Sequence, residues 1–367
     1  MFIEKLELVD YRNYENITLE FSKPIVIILG MNGQGKSNIL EAICFLTTKN
    51  SFRARQNKEM IRWDRARSLI RGTLKSGSRN DEIEIIIEGE SGATVLRNKV
   101  KEKEKKVFGD ISSVVFTPDD LQIIKGGPQK RRQYIDNVVS KIKPTFVFTL
   151  INYNRVLQQR NAFLKQGRGR DIQEIQIWNE KIVNLGAKII LERDRTTRTI
   201  NNKAREIYRE LMQGKERNEL NIHYLSSVGN REEAEEIKEE LAEELRVKEA
   251  EEREKGITLV GPHRDDLAIS VSGREARLYA SQGEERGIVL ALKLSEVEVL
   301  REEKGHSPLI LFDDVLSELD EEVKKSLVGK LNGANQIFIT ATSGEGIPSG
   351  LERAQWMRVE SGRVVNG

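Results

Sequence analysis

A single cysteine, Cys44, in a chain of 367 residues excludes an internal disulfide. It falls in an apolar helical pattern, where a small buried hydrophobe is expected and no chemical role follows. Long hydrophobic runs are also missing. Ile25 to Leu29 and Leu309 to Phe312, among the longest, fall far short of the ~20 residues a membrane-crossing helix requires. Glu4, Glu7 and Asp10 interrupt what would have to be the apolar stretch of a secretory signal. A cytoplasmic location with no membrane partner is therefore expected. The three histidines, His223, His263 and His306, are too few and too scattered to suggest a metal cluster. For His263, beside Asp265 and Asp266, a structural hydrogen-bonding role is preferred over a metal site. The net charge of +2 is too small to name a partner, because the charges occur in blocks.

The balance of 38% hydrophobic to 32% charged residues argues against wholesale disorder, and the length accommodates more than one compact region. Strand patterns fill the first third: Phe2 to Asp10, Ile17 to Phe21, Ile25 to Leu29, Leu69 to Leu74 and Ile83 to Glu88. From Pro128 to Lys255 the pattern turns helical. Ile175, Trp178, Ile182, Leu185 and Ile189 repeat at the spacing of a short coiled-coil seam, and the acidic stretch Glu232 to Glu254 places Ala234, Ile237, Leu241 and Leu245 on one face. Strand signals return after Gly256, in Leu267 to Val271, Leu309 to Phe312 and Gln336 to Thr340. The expected fold is α/β: a discontinuous head of residues 1–120 and 256–367, with a short helical arm of residues 121–255 inserted into it.

The strongest chemical signal is Gly30-Met31-Asn32-Gly33-Gln34-Gly35-Lys36-Ser37, which fits G-x-x-x-x-G-K-S between an apolar strand and a helical pattern. Glycines let the backbone wrap closely round phosphates, so that N–H groups and the following helix N-terminus face the negative charge. Lys36 adds a point charge, and the Ser37 hydroxyl suits a magnesium ion bridging the outer phosphates. ATP and Mg2+ are the expected ligands. An acidic partner is supplied by Asp313 and Asp314, at the end of the apolar strand Leu309 to Phe312. Asp313 is expected to hold the magnesium and Asp314 to orient or deprotonate the attacking water. For both to serve one nucleotide, their strands must share a sheet.

Tyr279-Ala280-Ser281-Gln282-Gly283-Glu284-Glu285-Arg286 precedes a further helical pattern. Ser281 and Glu284 fit a capping box. The segment also resembles the signature loop of ABC-type ATPases, in which the serine and the helix N-terminus face the terminal phosphate bound by the other subunit. That resemblance implies an ATP-dependent homodimer in which Ser281 and Gly283 act in trans, an arrangement that the context of Ser281, Glu318 and Asp320 permits.

Beyond these motifs, the chain carries Asp10-Tyr11-Arg12-Asn13-Tyr14, Phe116-Thr117-Pro118-Asp119-Asp120-Leu121, Lys125-Gly126-Gly127-Pro128, Arg131-Arg132 and Gly261-Pro262-His263-Arg264-Asp265-Asp266. On this set, over essentially its whole length, it is similar to the RecF family of bacterial DNA repair proteins, relatives of the chromosome-maintenance ATPases. The resemblance implies slow, DNA-stimulated ATP hydrolysis used as a switch. It also implies binding to DNA at gaps and single-strand/double-strand junctions, and cooperation with RecR and RecO in loading RecA, within recombinational repair, replication restart and SOS induction. It further implies that Arg12 approaches the phosphates and that Asp119 occupies the place of a transporter glutamine. There are departures. Gln282 replaces the first glycine of the transporter signature, Glu284 a glutamine more frequent in the family, and Asp314 the glutamate of many ABC enzymes. Thr340-Ala341-Thr342 carries no switch histidine, which weighs against the alternative of an ABC-transporter subunit.

DNA binding would rest on phosphate neutralisation. Arg53, Arg55, Arg62, Arg65 and Arg67, the segment Lys99 to Lys106, and Lys130, Arg131 and Arg132 are the candidate clusters, each equally readable as a solvated face. Aromatics are 6% of the chain. None is taken as interleaved with the basic residues, so backbone contacts rather than base stacking are expected.

Overall fold

The computed structural model describes residues 2–76, 79–89, 92–102, 111–165, 172–212, 219–229, 232–331, 333–344, 347–348, 350–351, 353–360 and 362–366. The chain divides into two compact units, one of residues 1–120, 207–214 and 282–367, the other of residues 121–206 and 215–281.

The first unit contains two six-stranded sheets. In one, β1 (Phe2–Tyr11), β2 (Tyr14–Glu20), β4 (Arg67–Ser76), β5 (Arg79–Glu88), β6 (Gly92–Arg97) and β7 (Val100–Lys101) pair antiparallel in the order β2-β1-β4-β5-β6-β7. Leu6 and Leu8 on β1, with Ile3 beyond a register shift, and Ile83, Ile85 and Ile87 alternating on β5 turn one face inward, and all six side chains are buried. The other sheet has the order β15-β14-β3-β13-β12-β8, built from β3 (Ile25–Leu29), β8 (Ser113–Phe116), β12 (Leu309–Asp313), β13 (Ile337–Ala341), β14 (Gln355–Glu360) and β15 (Arg363–Asn366). Its strands run parallel except for β15. Its central strands are apolar throughout rather than alternating, as strands covered on both faces must be. Phe116 and Phe312 stack at 4.4 Å across β8 and β12.

Helix α1 (Lys36–Thr48) joins a single apolar cluster with residues of both sheets. Gly72 on β4 permits its close approach, since a Cβ there would lie 2.2 Å from Leu46 Cδ2. Two glutamines imitate strand pairing. Gln336 accepts from Ile3 N–H (2.7 Å) and donates to Ile3 C=O (3.0 Å), and Gln355 does the same between Ser22 N–H and Glu20 C=O.

In the second unit, α2 (Pro128–Ile142), α3 (Phe146–Lys165), most of the 40-residue α4 (Ile172–Leu211), α5 (Ala234–Val247) and α6 (Glu249–Lys255) accompany a small sheet of β9 (Leu220–Leu225), β10 (Asp266–Val271) and β11 (Arg274–Glu275), in the order β11-β10-β9. Ile175, Ile182 and Ile189 of the expected seam are buried, as are Ile237, Leu241 and Leu245 on the acidic helix. Two features differ from the sequence reading. The inserted unit contains a strand, β9 (Leu220–Leu225), and β10 (Asp266–Val271) pairs with it along its whole length, from Asp266↔Leu225 to Val271↔Leu220. Residues 256–281 therefore cluster with the insertion, and the chain returns to the first unit at Gln282 rather than at 256.

Charge is buried in this second unit. Arg160 and Glu252, both fully buried, pair at 2.6 Å, and the remaining guanidinium donors reach Asn179 Oδ1 and Thr258 Oγ1 at 2.8 Å. Arg193 grips Asp136 with two bonds and Pro262 C=O with a third. Asp265 accepts from the Tyr224 hydroxyl and from Ser227 N–H. Such groups are tolerated in an interior only when fully paired, and they fix one arrangement of helices more than they add stability.

Candidate nucleotide site

At the end of β3 the backbone turns through residues 30–35 and enters α1 at Lys36. Gly33 (φ +81°) and Gly35 (φ +117°) hold left-handed conformations that side chains disfavour. At Gly35 there is also no room for one: a Cβ would stand 2.5 Å from Tyr14 Oη and 2.7 Å from Asn13 Nδ2. Those two residues support the loop from the β1–β2 hairpin, Asn13 Nδ2 donating to Gln34 C=O and the Tyr14 hydroxyl to Gly35 C=O, both at 3.0 Å. The Lys36 ammonium curls back into the loop, donating to Gly30 C=O (2.7 Å) and Met31 C=O (3.3 Å), with Asp314 Oδ2 at 3.6 Å. Its side chain is only 3% exposed. A cation held inside a glycine-walled loop at a helix N-terminus fits a polyphosphate.

Asp313 ends β12, separated from β3 by β13 alone. Its carboxylate accepts from the Thr340 hydroxyl (3.0 Å) and is hydrogen-bonded to Ser37. Burial raises its pKa, the Asp314 charge adds to the rise, and the bonds from Ser37 and Thr340 with the Arg53 charge offset part of it. Thr340 Oγ1 also accepts Asp314 N–H at 3.0 Å. Asp314 has φ +55°, a conformation rare outside glycine, and this turn brings its carboxylate to Lys36. Ser37 and Asp313 offer the hydroxyl and carboxylate oxygens that magnesium favours. Sequence reasoning gave Thr340 no role beyond the lack of a histidine. The structure makes it the residue that orients both acids.

Arg12, expected near the phosphates, has a different partner. Its guanidinium donates twice to Glu41 of α1 (2.8 and 2.6 Å) and once to Glu59 C=O (2.6 Å). Glu41 is fully buried and also accepts from Tyr11 (3.1 Å) and Ser51 (2.5 Å). Arg12 thus clamps α1 to the hairpin that supports the phosphate loop. Burial pushes the Glu41 pKa up, but the bonds from Arg12, Ser51 and Tyr11 outweigh it and hold the carboxyl below its ordinary value. A carboxyl lowered in the folded state stabilises the fold above its unfolded pKa of about 4.3, and that stability is lost as pH falls through the folded value. Glu41→Gln should accordingly unfold about 3 kcal/mol more easily at pH 7, the order expected for a broken buried pair. Urea titrations below pH 4 should show the difference from wild type shrinking.

Arg53, assigned from sequence to a DNA-facing cluster, is brought to the site. Its guanidinium donates to Asn38 Oδ1 (2.8 Å), Asn38 Nδ2 donates to Asn13 Oδ1 (2.8 Å), and its charge lowers the pKa of Asp313. No spacing rule marks this residue, because its partner lies across a loop.

Ser281 is exposed and immediately precedes α7 (Gln282–Lys304), at the helix N-terminus whose first-turn N–H groups lack intrahelical partners. Gly283, in the first turn, is partly exposed. Arg286, one turn on, donates to Glu318 C=O (2.7 Å) and Glu318 Oε2 (3.1 Å), tying α7 to the segment that follows Asp314.

The remaining candidates separate. Arg131, which is buried, binds Asp266 with two bonds and Gly126 C=O with another and is an internal strut, while the half-buried Arg132 donates to Asp265 C=O. Of the cluster that begins at Lys99, residues 99–102 are described, and residues 103–106 lie outside the described residues. His263 has its Nδ1 at 2.7 Å from the Tyr153 hydroxyl and its Nε2 at 3.1 Å from Thr258 C=O. The carbonyl requires a proton on Nε2, so Nδ1 accepts from tyrosine, and burial lowers the pKa to about 4. This is a structural, neutral histidine. Among the described residues no cluster of three or more His, Cys, Asp or Glu suits a metal ion, and no helix is long and apolar enough to cross a membrane. The expectation that no aromatic interleaves with the basic residues fails at Trp63, which stands between Arg62 and Arg65 and is 90% exposed.

A family model described as an AAA domain matches residues 5–255. The DNA replication and repair protein RecF of Natranaerobius thermophilus is 36% identical over 100% of this chain and 98% of its own length. A solved structure of the recombination mediator protein RecF-ATPrS in the RecFOR pathway superimposes with a TM-score of 0.90 at 34% identity, covering 100% of this chain and 98% of that one. An Smc head bound to the C-terminal winged-helix domain of ScpA, 18% identical with a TM-score of 0.56 over 100% of this chain and 98% of its own, shares the fold.

Proposed function

Because the chain belongs to the RecF family of DNA replication and repair proteins, we propose that it is an ATP-switched recombination mediator whose nucleotide closes two copies around gapped DNA. The observation that carries this reading is the convergence of Lys36, Ser37, Asp313 and Asp314 at the ends of β3 and β12, two parallel strands that flank β13. In this reading the main-chain N–H groups of Gly30, Met31, Asn32, Gly33, Gln34 and Gly35 surround the phosphates, and Lys36 exchanges its bonds to Gly30 and Met31 for phosphate oxygens. Ser37 and Asp313 hold magnesium, which neutralises charge on the outer phosphates. Asp314, already aimed inward by its left-handed backbone, takes the proton of the attacking water. Arg53, held by Asn38, adds positive charge, and Arg12, which holds the platform, has N–H donors left to approach the phosphates.

Ser281 and Gly283 at the N-terminus of α7 serve the partner copy. The positive end of a helix and a serine hydroxyl recognise a terminal phosphate and lose that ligand on hydrolysis. The Arg286–Glu318 link passes the state of the catalytic strand to that helix. DNA held in this way would be handed to the recombinase RecA, and the RecFOR pathway of the related structure supports RecR and RecO as the partners in that step. The SOS and replication-restart roles follow from that loading step.

Binding of a labelled gapped duplex, measured with ATP, with ADP and without nucleotide, tests the reading. Affinity should rise at least tenfold with ATP alone, and Lys36→Met should remove the rise. Equal binding in all three conditions would refute it.

A further inference from the structure

We propose that Trp63 is a stacking contact for an unpaired base at the edge of a gapped or tailed DNA, an inference that rests on the DNA-binding function above. Trp63 is 90% exposed, on a turn that is anchored rather than frayed. Arg62 N–H donates to Asp10 C=O (2.9 Å), Arg65 N–H to Arg62 C=O (3.2 Å) and Arg12 N–H to Met60 C=O (2.9 Å), while Ile61 bridges to Tyr11. Asp64 completes the turn with φ +61°. A large apolar ring fixed in water by a built turn is retained against the hydrophobic effect, which points to a ligand for it.

The surroundings select the ligand. Asp10 and Glu15 are neutralised by Arg62 and Arg65, at 3.0 Å for Arg62–Glu15 and 3.3 Å for Arg65–Asp10. Arg55, Lys58 and Arg67 are exposed and have no ion-pair partner among the described residues. A protein hot spot would be ringed by further apolar contacts. The other exposed large hydrophobics described in the first unit, Met31, Val100 and Val365, belong to different segments, and the chain neighbours of Trp63 are arginine and aspartate. One aromatic face among uncommitted cations suits a polyanion that offers flat bases, and such stacking operates only where a base is unpaired.

Equilibrium binding of the full-length chain with ATP to a gapped duplex and to a blunt duplex of equal length decides the matter. Trp63→Ala should weaken gapped-DNA binding roughly 5- to 150-fold, the range for loss of one base stack, and leave blunt-duplex binding within about twofold. Trp63→Phe should retain most of the affinity yet lose the quenching of indole fluorescence that gapped DNA causes in wild type. Because the ring is exposed, folding is not at stake, and unchanged ATP binding by each variant verifies it. If Trp63→Ala binds gapped DNA like wild type, or weakens both duplexes equally, the stacking assignment is overturned while the proposed function stands. If wild type binds neither DNA, the proposed function fails and this inference with it.

Discussion

Ser281→Arg is expected to abolish the ATP-dependent dimer while each monomer still binds ATP. In the proposed assembly two symmetric sites close the dimer, and at each one a serine-led helix N-terminus meets the other copy's terminal phosphate. A hydrogen bond to a charged group contributes about 1.5–3 kcal/mol. Loss of two such contacts removes about 3–6 kcal/mol, so dimer affinity should fall by at least ~100-fold. Arginine also fills the space where the phosphate must approach the helix. Because Ser281 is exposed, its replacement buries no charge. ATP affinity of the monomer should stay within about threefold by equilibrium dialysis, while light scattering reports only monomer. Collapse of both together would place the serine in its own chain's site.

The second large effect is expected at Asp314. Asp314→Asn should lower ATP turnover ~100- to 10,000-fold, the range for loss of a general base, without preventing ATP binding or dimerisation. Asparagine tolerates the left-handed backbone as readily as aspartate, so the turn at φ +55° and the Thr340 bond to its N–H survive. What disappears is the carboxylate that lies 3.6 Å from Lys36. The variant should therefore remain on gapped DNA as an ATP-bound dimer, seen as a slow DNA dissociation rate beside near-zero phosphate release. Full turnover would assign water activation to another group.

The phosphate loop and the acidic pair were legible in the sequence because their chemistry is local: a strand, a glycine-rich turn and a helix lie within one stretch, and a second apolar strand ends in two acids. Residues whose meaning depends on a distant partner were not. Arg12 reads, from the resemblance, as a residue near the phosphates, but its buried partner Glu41 on α1 is not legible in the sequence. Arg131 and Arg132 read as a basic patch until Asp265 and Asp266, where β10 begins, supply acceptors for them. β9 was hidden between strong helical patterns, although Leu220, Ile222 and Tyr224 alternate inward as a strand requires. With β9 missed, the pairing that retains residues 256–281 in the insertion could not be foreseen. Trp63 needed no structure to be noticed between its arginines; its exposure did.

Sedimentation of the wild-type chain at micromolar concentration with magnesium and gapped DNA, in ATP, in ADP and without nucleotide, tests the composite site most directly. A dimer in ATP and monomers in the other two conditions is the predicted result. Monomers throughout, or a dimer indifferent to nucleotide, would contradict it.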